Sequence, residues 1–302
     1  MNRRNFIQQT AALSSLVGLG GMAMSFAEDK AKHITILHTN DVHSHVEPLS
    51  PNDPKNPDMG GAARRATIIK NVRKENPNTL LFDAGDIFQG TPYFNFYGGE
   101  VEFKLMSMMK YDAATIGNHD FDDGIDGLYS QLPNAKFPFI NSNYDFSDTV
   151  MDGHVLTHKI FQKNGVKIGV FGLGVELKGL VNDNLYKNTK YLDPVPVAKK
   201  MTRMLREEKK CDLVICLSHL GYKYDTDKIS DLKLAQATSG IDLIIGGHTH
   251  TFLEKPTIET NAEGKKVLIN QVGCYGLYLG RIDFFLDKNN NVENTNAVRI
   301  SV

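Results

Sequence analysis

The chain has 302 residues, 41% of them hydrophobic and 23% charged, and its 34 Lys and Arg stand against 35 Asp and Glu for a formal net charge of −1. That balance offers no basic face for a nucleic-acid backbone, and three cysteines are too few for a disulfide framework and leave at least one unpaired. The length suits one α/β domain with a large core, and no internal repeat, linker or low-complexity tract divides it.

The first segment has the pattern of a targeting signal. Asn2-Arg3-Arg4-Asn5-Phe6-Ile7 resembles a twin-arginine export signal, Ala11 to Met24 is moderately apolar, and Ser25-Phe26-Ala27 supplies small residues for cleavage after Ala27. The sequence is therefore divided into a signal peptide, 1–27, and a domain, 28–302. The apolar stretch falls short of the roughly 20 residues of a membrane span, and no Cys follows the cleavage point for a lipid anchor. A soluble periplasmic or secreted protein is expected, with no membrane anchor.

Downstream, short apolar runs rich in β-branched residues read as buried strands, and helix-period segments fill most of the gaps between them. Ile34-Thr35-Ile36-Leu37 runs into Asp41 and His43. His45 follows, a candidate ligand or substrate residue weighed against an ordinary loop histidine, and Pro48 to Asp58, with its prolines, reads as a stiff loop bordering the site. Gly61 to Glu75 carries Ala63, Ala66, Ile69 and Val72 at helical spacing and stops at Asn76-Pro77. Arg64 and Arg65 near its start are candidate phosphate contacts through a guanidinium fork, weighed against a solvated helix face.

Thr79-Leu80-Leu81-Phe82 leads to Asp86. Phe88, Tyr93, Phe94, Phe96 and Tyr97 then crowd together, and core packing is preferred to a stacking surface for a base because aromatics are mostly buried for their area. Ala113-Ala114-Thr115-Ile116 leads to Asn118 and His119, Leu213-Val214-Ile215-Cys216 to His219, and Ile241 to Ile245 to His248 and His250. His33 and His38 flank the first strand, and His154 and His158 lie in an apparent β region; all four read as structural, as do Cys211 and Cys216 beside a core strand. Val267 to Asn270, Leu277 to Leu286 and Val292 to Val302 close the domain as strands, the last two joined as a hairpin through Asn289-Asn290-Asn291.

Ligands bind where the carboxyl edges of strands open a crevice in an α/β sheet, so five strand ends carrying Asp, Asn and His propose one site. Asp41, His43, Asp86, Asn118, His219, His248 and His250 make more donors than the four of a structural zinc or the three of a catalytic one, which argues for two ions. Carboxylate, amide and imidazole donors without thiolate suit divalent zinc, manganese, iron or cobalt. Two such ions clamp the attacking and leaving oxygens of an in-line displacement, the chemistry of phosphoester hydrolysis.

Asp41-Val42-His43, Gly85-Asp86, Gly117-Asn118-His119-Asp120, Ser218-His219 and Gly246-Gly247-His248-Thr249-His250 resemble the calcineurin-like metallophosphoesterase signature. Thr39-Asn40-Asp41-Val42-His43, Gly60-Gly61-Ala62-Ala63-Arg64-Arg65, Gln89-Gly90-Thr91-Pro92 and Asn118-His119-Asp120-Phe121-Asp122 narrow the resemblance to the 5′-nucleotidase branch. The resemblance implies a four-layer αββα sandwich of two mixed sheets. It further implies one ion on Asp41, His43, Asp86 and His250, another on Asp86, Asn118, His219 and His248, and Asp86 as the bridge. His119 would stabilise the transition state or protonate the leaving group, with Asp122 holding its ring, and Asn118 is also a candidate substrate contact.

Full-length members of that branch carry a second domain that sandwiches the base, so a separate chain supplying it is a possible partner of this one. The expected substrate is a nucleotide or related phosphomonoester. The alternatives are a sulfur-ester hydrolase resembling the thiosulfohydrolases, or a non-catalytic subunit paired with a nucleotide-binding domain.

Overall fold

The computed structural model describes residues 31–302; the export-signal pattern and its cleavage point lie outside the described residues. In chain order the strands are β1 (Lys32–Thr39), β2 (Thr79–Asp83), β3 (Ala113–Ala114), β4 (Phe139–Ile140), β5 (Tyr144–Asp145), β6 (Val155–Leu156), β7 (His158–Lys163) and β8 (Val166–Leu173). There follow β9 (Lys190–Tyr191), β10 (Leu213–Ser218), β11 (Leu243–Gly246), β12 (Thr257–Thr260), β13 (Lys266–Asn270), β14 (Tyr278–Leu286) and β15 (Val292–Ser301). Two mixed sheets result, ordered β15-β14-β1-β2-β3-β4-β6 and β12-β13-β11-β10-β8-β7, with β5 and β9 as a separate pair. Their centres are parallel, and antiparallel strands lie only towards the edges.

The period-2 alternation of each central strand decides what it touches. Ile34 and Ile36 of β1, Leu80 and Phe82 of β2, Ile168 and Val170 of β8, and Leu213, Ile215 and Leu217 of β10 meet in one fully buried cluster between the sheets. The opposite faces present Leu37 and Leu81 from the first sheet, packed with Ile69, Val72, Phe103, Met106, Ile125 and Leu128 from the helices Ala62–Glu75, Glu100–Met108 and Gly124–Gln131. The second sheet presents Phe171, Leu173, Val214 and Cys216 to Ala198, Met201, Leu234 and Ala235 from the helices Pro194–Arg203 and Asp231–Ala237. Three apolar interfaces separate four layers, the αββα sandwich that the sequence implied.

The strand expected over Ala113 to Ile116 ends at Ala114, although Thr115 N–H still donates to Asp83 O at 3.0 Å. Beyond the strand, position 117 must be glycine, because a Cβ there would lie 2.2 Å from Asp86 Oδ1. His33 and His38 lie inside β1 rather than beside it, and both are structural: His33 pairs with Asp283 at 2.8 Å, and burial takes His38 down to about 3. The terminal hairpin forms as expected, its turn closed by Asp287 accepting from the Asn289 and Asn291 N–H groups at 2.8 Å. All three cysteines are free and buried. Among the described residues no helix is long and apolar enough to cross a membrane.

Phe82, fully buried between the sheets, contacts the Phe161 ring edge-on at 5.5 Å. Phe82→Ala should cost about 3–5 kcal/mol, measured by urea unfolding; a loss below about 1 kcal/mol would refute its place at the centre of the sheet-to-sheet contact.

Candidate metal centre

The parallel strands of both sheets deliver their carboxyl ends to one region, and the loops that leave them are joined by backbone hydrogen bonds. The N–H groups of Asp41, His43 and Ser44 donate to the carbonyls of Gly85, Asp86 and Ile87 at 2.9, 3.1 and 2.8 Å. The second loop is held in turn by Asp120, a fully buried carboxylate that accepts from the N–H groups of Asp86, Ile87, Phe88 and Gly117 at 3.1, 2.9, 3.2 and 2.8 Å. Two further loops, after β11 and after β13, dock on the first: His248 N–H donates to Asp41 Oδ1 at 2.9 Å, and Tyr275 N–H to Asp41 O at 2.7 Å.

Asp41, His43, Asp86, His248 and His250 all adopt positive φ, at 48°, 49°, 55°, 74° and 51°. Such conformations are uncommon for residues with a side chain and persist where surrounding structure enforces them, typically at functional sites. The side chains form two clusters, Asp41 with His43 and His250, and Asp86 with His219 and His248. Asp86 Oδ2 lies between them, 3.0 Å from His219 Nε2 and 3.9 Å from His43 Nε2, which is the place of a bridging carboxylate. Asn118 Oδ1 joins the second cluster, 2.8 Å from His248 Nδ1. All seven expected donors are thus brought together.

The residues fit a pair of divalent cations. His219 Nδ1 is engaged by Ala84 O at 2.6 Å, which leaves the fully buried Nε2 beside Asp86 Oδ2, at 3.0 Å but without the alignment of a hydrogen bond. His43 and His250 point Nε2 at Nε2 across 3.0 Å, an approach that a shared positive charge relieves. The acid–base balance points the same way. Burial opposes charge on His219, but Asp86 and then Asp41 outweigh it and lift its pKa to about 10; Asp41 does the same for His250, also against burial, to about 10. Burial takes His248 down to about 4 and lowers His43. The buried carboxylates thus draw protons onto two of the imidazoles, and cations would replace those protons as the countercharge.

His119 borders both clusters. Its N–H donates to Asp86 Oδ1 at 2.8 Å, and its Nδ1 meets Asp122 Oδ2 at 2.8 Å. An ionised carboxylate only accepts, so this contact fixes the proton on Nδ1. The Asp122 hydrogen bond is the chief cause that raises the His119 pKa, with Asp86 adding to it against burial. The side chain is partly exposed, at 39%.

The remaining candidates are placed differently. Arg64 is exposed and pairs with Asp58 at 3.0 Å, tying the Pro48–Asp58 loop to the helix Ala62–Glu75. Arg65 is 3% exposed, so a solvated helix face describes Arg64 and not Arg65. His45 stacks on Tyr275 at 4.2 Å and bonds the His43 carbonyl through Nδ1, outside both clusters. Of the crowded aromatics, Phe88 and Phe94 are core, while Phe96 is 82% exposed.

Sequence reasoning assigned no role to Asp120, Asn40, Tyr275 or Asp231. Asp120 carried a local signal, since an Asp just after a Gly turn can capture the N–H groups that the turn exposes. Asn40 bridges Gly273 O and Val272 N–H at 2.6 and 3.0 Å, and Asp231 accepts from Ser218 Oγ at 2.5 Å; these are tertiary contacts with no sequence signature.

A family model described as calcineurin-like phosphoesterase matches residues 34–252. The snake venom 5′-nucleotidase of Naja atra is 34% identical over 280 residues, covering 86% of this chain and 51% of its own length. The 5′-nucleotidase of Rattus norvegicus is 33% identical over 304 residues, 94% of this chain and 51% of its own. The crystal structure of a 5′-nucleotidase precursor from Thermus thermophilus matches with a TM-score of 0.82 at 32% identity, covering 90% of this chain and 55% of that one. The chain spans about half the length of the curated relatives it matches.

Because His219 and His250 hold protons below about pH 10 and must lose them to coordinate, cation binding at pH 7 should release protons, and affinity should rise with pH towards that value. Calorimetry of manganese binding in buffers of different ionisation enthalpy measures the release; identical heats in every buffer would sink this account of the centre.

Proposed function

The chain belongs to the calcineurin-like phosphoesterase family, and from that premise we propose that it is a metal-dependent phosphoester hydrolase acting on nucleotides or related phosphomonoesters. The observation that carries this reading is the pair of clusters that share Asp86, with the His119–Asp122 pair beside them. Asp41, His43, Asp86 and His250 would hold one cation, and Asp86, Asn118, His219 and His248 the other. Bound there, a pair of divalent cations would lower the pKa of a water and offset charge on the phosphoryl oxygens.

The protein's own groups supply the rest. Asp122 keeps His119 protonated and its ring oriented, so that Nε2 can give a proton to the departing ester oxygen as the P–O bond breaks. Asp86, fixed through Oδ1 by the His119 N–H, couples the position of that acid to the position of the bridge. These interactions act on charge that develops in the transition state, so their loss should lower turnover more than binding.

We further propose that residues 1–27 direct export to the periplasm or the exterior, and that a separate chain completes recognition of the base. The pattern around Arg3 and Arg4 supports the first; the second rests on the resemblance to a branch whose full-length members carry a domain that sandwiches the base. Replacing Arg3 and Arg4 together with Lys should trap the protein uncleaved in the cytoplasm, and processing that persists would overturn the twin-arginine route.

The deciding experiment measures phosphate release from 5′-nucleotides, a cyclic nucleotide and an aryl phosphate with manganese, zinc or cobalt. His119→Ala should lower kcat by about 10²–10⁴-fold. Asp122→Asn should move the alkaline limb of the pH profile to lower pH, because it replaces the charged acceptor that raises the His119 pKa with a neutral one. Turnover of the aryl phosphate alone would point to a partner chain or another natural substrate. Phosphate release with no cation would refute the reading.

A further inference from the structure

His43 and Ser44 are consecutive residues in the left-handed region, at φ 49° and 57°, so the loop that presents the His43 ring depends on what holds Ser44. Ser44 is buried, and its N–H donates to Ile87 O at 2.8 Å. Its Oγ lies 2.7 Å from Thr91 Oγ1, accepts from Phe94 N–H at 3.1 Å and donates to Glu102 Oε1. Glu102 reaches this point from the helix Glu100–Met108 and is only 4% exposed; its second oxygen, Oε2, has no hydrogen-bond partner. Arg65, 3% exposed on the helix Ala62–Glu75, leaves Nε and Nη1 without partners. Both side chains line one cavity of about 20 Å³ together with Ser44, His45 and Tyr111.

Opposite charges buried on one cavity wall are costly unless something joins them, and no direct ion pair between Arg65 and Glu102 occurs among the described residues. The cavity has room for one water, which needs about 10–15 Å³ and polar partners. We propose that Glu102, joined to Arg65 through one bridging water, is a positioning residue for His43. Glu102 accepts from the Ser44 hydroxyl through Oε1 and meets the water through Oε2, while Arg65 donates to the same water. Ser44 is thereby fixed in its left-handed conformation, and His43 stays turned towards Asp41 and His250. This rests on the metal-centre reading but not on the identity of the substrate.

The test is a cobalt titration of the full chain, followed by calorimetry and by visible absorption, with far-ultraviolet circular dichroism to confirm folding. The wild type should bind two ions in resolvable steps. Ser44→Ala and Glu102→Ala should each weaken one step by about 10–100-fold and leave the other largely unchanged, the range found when supporting partners of metal ligands are removed. Arg65→Met should weaken the same step. Glu102→Gln, which keeps an oxygen for Ser44, should recover most of the loss, whereas Glu102→Met, which fills similar space without that oxygen, should not; recovery by both would mean a merely space-filling role and overturn the proposal. If Glu102→Ala does not fold, Ser44→Ala and Glu102→Gln decide the matter. Two unchanged steps, or two steps weakened equally, would overturn the proposal; a wild type that binds no cobalt would overturn the metal centre itself.

Discussion

One buried carboxylate sets the geometry of the whole centre. Asp120 accepts four backbone N–H groups, three of them from the loop that carries Asp86 and the fourth from Gly117 beside Asn118. Burial and the charge of Asp86 push its pKa up to about 7, against those hydrogen bonds. The loop held in this way offers its carbonyls to Asp41, His43 and Ser44, and Asp41 then receives the His248 and Tyr275 N–H groups. The order of dependence runs from Asp120 through Asp86 and Asp41 to His248. Every step has a main-chain N–H as donor, accepted by a carboxylate at Asp120 and Asp41 and by carbonyls between them, so the loops are positioned by hydrogen bonds within the protein.

The two clusters do not divide between the two sheets. Asp41 and His43 follow β1 of the first sheet, yet their partner His250 follows β11 of the second; Asp86 follows β2, yet its partners His219 and His248 follow β10 and β11. Each cluster therefore spans the interface packed by Phe82, Val170 and Ile215. A substitution in that apolar layer acts on the ligands through rigid displacement of one sheet against the other, a route available because such interiors are close-packed. A pair of bound cations would in turn favour the folded arrangement of both sheets by mass action.

Much of this was legible in the sequence because the physics is local. Apolar runs such as Ile34–Leu37 and Leu213–Cys216 declare buried parallel strands by their composition, and a donor just past each run must lie at a carboxyl edge. All seven donors could be named on that basis. Arg65 was not legible, since an arginine on an amphipathic helix is ordinarily solvated, and its burial follows from loops far away in the chain. The extent of β3 was not legible either, because its two residues are set by pairing with Phe82–Asp83 and Phe139, which are tertiary contacts. Phe96 and Phe94 are alike in sequence, and only the direction of a six-residue helix separates the exposed ring from the buried one.

The sheet-spanning clusters also govern when the centre can exist. His43 and His250, whose rings meet at 3.0 Å, are separated by 207 positions in the chain, and His248 and Asn118 by 130. Closing loops of that length is a late event in folding, because the entropy of closure is spent before the contact returns anything. No early fragment holds more than one side of either cluster. Metal ions would therefore be poor nucleators for this chain: they would meet a complete set of ligands only after both sheets have paired, and loading would follow folding rather than guide it.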